Sequence, residues 1–296
     1  MTYGPEMKQS LGTQGDRVLH HEQLGAGPLV VLLHSGGMSS RQWRRLAALL
    51  STSHRVVSPD FLGSGRNPPW PGDAPFDFRL DVAAVGELLD SLEVPAHLVG
   101  HSYGGLVALT LARERRAAVL SLSLYDPVAF GVLHSNHDEA GLNDLGNDLG
   151  NDLGNDLTSP AANPVFLDDA RGGSELWFEP FVDYWNGPGT WRALSESARA
   201  SFLEVGRKVY LESRSLLADR TPADAYTRIT APTLLLGGER SPLAARRVIA
   251  HLAAALPRAH AREVAGAGHM GPISHADEVN ALIAQHIAAA DDGGGR

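Results

Sequence analysis

Gly100-His101-Ser102-Tyr103-Gly104 places a serine between two glycines, directly after the apolar run Ala96 to Val99 and before a helical pattern. This is a G-x-S-x-G arrangement in a strand–turn–helix context, in which the glycines allow a turn tight enough to project the serine hydroxyl above a sheet. The helix that follows would present the backbone N–H of Tyr103 at its positive end. A serine hydroxyl is a weak nucleophile until a base takes its proton. His269 is the candidate base. It lies in the glycine-rich loop Gly266-Ala-Gly-His-Met-Gly-Pro272, after the last apolar run, whereas His101 lies inside the turn and His34 closes a strand.

Attack on a carbonyl also needs hydrogen-bond donors for the developing oxyanion, and losing one donor typically costs about 10²–10³ in rate. His34-Ser-Gly-Gly-Met-Ser-Ser-Arg-Gln-Trp43 follows the run ending at Leu33, and its small residues leave backbone N–H groups free to face a substrate. Gly36 is the expected donor beside Tyr103, with Ser35 as the alternative.

Positioning these groups requires a sheet. Leu29 to Leu33, Arg55 to Val57, His97 to Val99 and Val119 to Tyr125 are short apolar runs suited to strands buried on both faces. Helical patterns over Ser40–Leu50, Phe78–Leu92 and Tyr103–Arg116 separate them, and this alternation predicts an α/β fold with a mostly parallel central sheet flanked by helices. The alternation pauses after Tyr125. It resumes with a strand over Thr233–Gly237, a helix over Leu243–Leu256, a strand near Ala261–Val264 and a helix over Ala276–Ala290. The final Asp-Asp-Gly-Gly-Gly-Arg reads as a frayed tail.

Together these residues resemble the α/β-hydrolase superfamily, over about residues 17 to 290. Asp60-Phe-Leu-Gly-Ser-Gly-Arg66 looks like the superfamily's D-x-x-G-x-G loop. The resemblance implies the α/β-hydrolase fold, Ser102 as nucleophile, His269 as base and a helical cap inserted after the sixth strand. Residues 1–126 and 229–296 would form the core domain and 127–228 the cap. Relatives that hydrolyse epoxides or carbon–halogen bonds use a carboxylate nucleophile, so a serine at 102 points away from them.

One position departs from the pattern. The superfamily usually carries its acid after the strand represented here by Thr233–Gly237, but this chain reads Gly238-Glu-Arg-Ser241-Pro, with serine in place of the acid. A triad without its acid can lose around 10⁴ in turnover. Asp126, at the end of the run Val119–Tyr125, is the expected substitute. Zearalenone lactonases and one subgroup of haloalkane dehalogenases carry their acid at this place. Glu239, close to the usual loop, is the alternative.

The inserted segment concentrates aromatics in Trp177-Phe-Glu-Pro-Phe-Val-Asp-Tyr-Trp185 and Trp191, most of them expected in a core, with Tyr184 and Trp185 the candidates to touch a ligand. It also holds Asn-Asp-Leu-Gly repeats over 143–157, read as a flexible loop because Gly and Asn in every turn oppose a helix. His134-Ser-Asn-His137-Asp138 could ligate a cation but reads as an exposed polar loop, so no metal and no cofactor are expected.

The net charge of −9 disfavours nucleic acid and anionic lipid. Residues 127–228 contain sixteen acidic and eight basic side chains, which assigns nearly all of that charge to the insertion. The absence of cysteine excludes thiol catalysis and Cys-ligated zinc and fits a reducing compartment. The amino terminus lacks an apolar leader, and no aliphatic run approaches the ~20 residues of a membrane helix. The expectation is a cytoplasmic monomer or homodimer that cleaves a small-molecule ester or lactone, with no nucleic-acid or membrane partner. Carbon–carbon bond hydrolysis of a diketone, or ligand reception without catalysis, are the alternatives.

Overall fold

A computed structural model of the chain describes residues 19–72, 74–142, 144 and 168–294. Seven strands form one sheet in the order β1-β3-β2-β4-β5-β6-β7. They are β1 (His21–Leu24), β2 (Leu29–Leu33), β3 (Arg55–Pro59), β4 (Ala96–His101), β5 (Val119–Tyr125), β6 (Thr233–Gly238) and β7 (Ala259–Val264). Every pairing is parallel except β1 with β3.

The alternation of side chains along a strand divides the core into two layers. In β2, Leu29, Val31 and Leu33 face one layer and Val30 and Leu32 the other. The first layer is closed by α2 (Arg79–Leu92), α3 (Tyr103–Glu114) and α7 (Leu243–Ala255). The second is closed by α1 (Arg44–Leu50) and α8 (Ala276–Gly294). Five consecutive apolar residues in β2 are all buried, as a strand covered on both faces must be.

Between β5 and β6 lie α4 (Glu175–Asn186), α5 (Glu196–Glu204) and α6 (Gly206–Ala218). Trp177, Phe178, Val182, Trp191, Val209 and Tyr210 bury one another there as a separate apolar cluster. This segment follows β5, the fifth of the seven described strands. Apart from Asp144, the repeat at 143–157 lies outside the described residues.

Two local expectations are corrected. The helix expected over Ser40–Leu50 begins as a 3-10 turn, Ser40–Trp43, before α1. Of the tail expected to fray, 291–294 instead extend α8, with Asp291 held by the side chains of His54 and His97, and 295–296 lie outside the described residues.

Candidate active site

The parallel strands end together at one edge of the sheet, and the loops leaving β2, β4, β5, β6 and β7 meet there. Ser102 follows β4 directly and has φ +53° and ψ −115°. Holding a non-glycine residue in such a conformation costs about 1–3 kcal/mol, and the surrounding packing must enforce it. The flanking glycines allow that packing. A Cβ on Gly104 would lie 2.4 Å from the carbonyl oxygens of Leu33 and His34, and one on Gly100 would lie 2.4 Å from the Gly104 carbonyl.

Three side chains from three loops line up above this edge. His269 Nε2 is 3.0 Å from Ser102 Oγ, and His269 Nδ1 is 3.1 Å from Asp126 Oδ2. All three residues are buried. The order fixes the useful tautomer, with Nδ1–H donating to the carboxylate and the Nε2 lone pair facing the hydroxyl. Burial pushes the His269 imidazole well below its ordinary pKa, which favours the neutral ring that a base must have. Burial also pushes the Asp126 carboxyl up, against the Ser241 hydroxyl and the Arg246 charge, which pull it down.

Residues 30–282 match the Alpha/beta hydrolase family. The chain belongs to that family. It is 28% identical over 272 residues to a pimeloyl-(acyl-carrier protein) methyl ester esterase of Chromobacterium violaceum, covering 90% of this chain and 96% of the esterase. A lipase of Mycobacterium tuberculosis is 41% identical over 112 residues, 37% of this chain, so the match spans only 41% of the lipase's length. A hydrolase structure from Pseudomonas aeruginosa has a TM-score of 0.66 at 22% identity, covering 90% of this chain and 93% of that one. At that identity the likeness is one of fold.

In this alpha/beta hydrolase the carboxylate meeting the imidazole comes from the end of β5. Glu239 is not brought to His269: it is exposed, and its Oε2 accepts the Gly266 N–H at 2.7 Å. Ser241 instead donates its hydroxyl to Asp126 Oδ2 at 2.5 Å while accepting the Gly238 N–H at 3.1 Å. On the oxyanion side, Ser35 N–H already donates to Gln42 Oε1 at 2.9 Å. Gly36 and Tyr103 both line the cavity over Ser102, and a Cβ on Gly36 would sit 3.8 Å from that of Tyr103.

The cavity has a volume of about 270 Å³. Trp185 stacks on His269 with ring centroids 4.0 Å apart, and Tyr184 lines the same space while its hydroxyl donates to Asp144 at 2.8 Å. The His134–Asp138 segment, expected as an exposed polar loop, begins within the helix Gly131–Ser135 and buries Asp138. Asp138 is held by Arg247, at 2.9 Å, and His251, at 2.6 Å.

Two groups near the site have roles that only the fold reveals. His101 Nε2 lies 2.8 Å from the His269 carbonyl and its Nδ1 lies 3.0 Å from Gln42 Nε2, so it holds the backbone of the histidine loop. Glu212, on α6, lines the cavity beside Gly36 with Oε2 buried and unpartnered. Its Oε1 pairs with the buried Lys208, which also reaches Asp81 at 2.9 Å. Burial pushes the Glu212 carboxyl up to about 7. A histidine inside the serine turn and a lysine and glutamate four residues apart on a helix carry no mark of these roles.

Proposed function

We propose that this chain is a serine hydrolase that cleaves a carboxylic ester or lactone of an apolar or aromatic small molecule through an acyl-enzyme. The observation that carries this reading is the line Ser102–His269–Asp126, at 3.0 and 3.1 Å, opening on an apolar cavity. The Ser102 hydroxyl attacks the carbonyl carbon as its proton passes to His269 Nε2. Asp126 orients the imidazole and offsets the charge it acquires. The Gly36 and Tyr103 amides receive the oxyanion.

Collapse of this intermediate breaks the carbon–oxygen bond, and the leaving alkoxide takes the proton from His269. Water then attacks the acyl group, passes a proton through His269 to Ser102 Oγ, and releases the acid. A lactone gives a single product carrying both the acid and the hydroxyl. The helices between β5 and β6 act as the cap, with Trp185 and Tyr184 against the substrate. The cysteine-free composition supports a cytoplasmic setting.

A fluorophosphonate probe tests the nucleophile. Labelling of the native protein and none of Ser102→Ala is the expected result, together with hydrolysis in a screen of p-nitrophenyl esters, lactones and diketones. Asp126→Asn should lower turnover by about 10⁴, with the circular dichroism spectrum unchanged. A native protein that neither labels nor hydrolyses any of these compounds would overturn the reading in favour of a ligand receptor. Preferential cleavage of diketones would move the activity to carbon–carbon bonds.

A further inference from the structure

At the opposite end of the sheet from Ser102, three potential ligand residues converge. His54 immediately precedes β3, His97 is the second residue of β4, and Asp291 lies near the end of α8. His54 Nε2 is 3.0 Å from Asp291 Oδ2, and His97 Nε2 is 3.0 Å from Asp291 Oδ1. Their three ligand atoms all lie within 4.8 Å of one another, and among the described residues no other His, Cys, Asp and Glu group gathers in this way. We propose that His54, His97 and Asp291 form a binding site for a divalent transition-metal ion of the zinc class, which clamps the C-terminal helix to the sheet.

Ligand type and spacing support the assignment. Two imidazole nitrogens and one carboxylate suit zinc and its neighbours, usually with water in a fourth position. Metal–ligand bonds of about 2.0–2.1 Å around a tetrahedral centre put ligand atoms about 3.3 Å apart. The observed 3.0 Å separations, one to each carboxylate oxygen, lie close to that value, and a turn of the Asp291 carboxylate would bring one oxygen to an ion held by both imidazoles.

The surroundings also fit. His54 Nδ1 lies 2.8 Å from Ser53 Oγ, and His97 Nδ1 lies 2.8 Å from Ser121 Oγ. A ring whose Nδ1–H donates to a serine oxygen turns its Nε2 lone pair toward the ion, the outer-shell pattern of ligating histidines. Both imidazoles are buried, whereas the Asp291 side chain is about one-third exposed and leaves a route of entry. Without an ion, the same contacts are two N–H groups donating to one carboxylate, and experiment separates the two states.

Full-length protein treated with EDTA and dialysed should bind one equivalent of Zn²⁺ by calorimetry, with a rise in Tm of several degrees. Co²⁺ should give visible d–d bands at the same stoichiometry. Asp291→Asn should abolish the Tm rise and weaken Zn²⁺ binding by at least about tenfold, and Ser121→Ala should weaken it by about 10–100-fold through loss of the hydrogen bond that orients the His97 ring. Asp291 is partly exposed, so its variant is the one most certain to fold, and His97→Gln adds a second ligand deletion. Absence of one-equivalent binding in the native protein, or binding unchanged by Asp291→Asn, would overturn the site and leave only a hydrogen-bonded clamp.

Discussion

Ser241 occupies the loop after β6 where the acid is expected, and its hydroxyl donates to Asp126 Oδ2 at 2.5 Å, the carboxylate that meets the imidazole. Burial drives the Asp126 carboxyl up to about 8, and Ser241 is the first group opposing that rise. Removing a donor to a carboxylate raises its pKa further, because the ionised form loses a partner and the neutral form does not. If the ionised carboxylate orients His269, Ser241→Ala should shift the acid limb of kcat/KM to higher pH and leave the high-pH plateau closer to the native value. A pH–rate profile of a p-nitrophenyl ester measures this, and an unshifted limb would show that Ser241 has no hold on Asp126. Stability should follow with the same sign. A carboxyl whose folded pKa exceeds its unfolded value contributes most below the unfolded pKa and loses that contribution as pH rises towards about 8. The three residues in line were legible in the sequence because each has a chemically restrictive setting: a serine between glycines, a histidine in a glycine-rich loop, and an aspartate ending a strand. Ser241's contact was not legible, since a serine in a turn carries no sign of its partner.

Elements are joined by charges that the apolar periodicity concealed. Lys208 and Glu212 occupy successive turns of α6, and in a helical pattern such residues read as a solvated face. In the fold that face turns inward: Lys208 Nζ meets Asp81 of α2 and Glu212, while the Tyr103 hydroxyl of α3 donates to Asp81 at 2.6 Å. Asp81 also accepts the Leu62 N–H at 2.9 Å. One buried cation therefore pairs with two buried carboxyls and ties α6 to α2, and through Asp81 to the Tyr103 hydroxyl of α3. Removing one partner of such a group typically costs about 3–5 kcal/mol, because it leaves unpaired charge in the interior. Lys208→Met should destabilise the protein by that amount in urea unfolding, and Lys208→Met combined with Glu212→Gln should recover part of the loss. Equal stability of Lys208→Met and the native protein would mean that water reaches the network. The strands and helices that were legible share strong apolar patterning. The edge strand β1, His-Glu-Gln-Leu, has none and exists because its backbone pairs with β3.

At the scale of the whole molecule, the charge and the cavity act in different places. The negative charge lies mainly in the segment between β5 and β6, whereas the space over Ser102 is walled by Trp185, Phe130, Val209 and Leu216. Substrate choice should therefore respond to size and apolarity. About 270 Å³ is at or below the small end of the roughly 300–1,000 Å³ usual for ligand pockets. A short acyl group fits while the inserted helices keep their place. A long one must leave through the gap between those helices and the sheet edge, or part the aromatic cluster that holds α4 and α6 together. Each methylene lodged in an apolar pocket is worth about 1–3 kcal/mol, so chain carbons left outside contribute nothing and those forced inside cost packing. p-Nitrophenyl butyrate should accordingly exceed the palmitate by at least about tenfold in kcat/KM, since even one misfitting methylene carries that weight. Comparison of the two esters below the palmitate's aggregation threshold measures the ratio. Equal rates would show that a long chain leaves by the gap or parts the two helices at no cost, and that the cavity volume does not set the limit on substrate size.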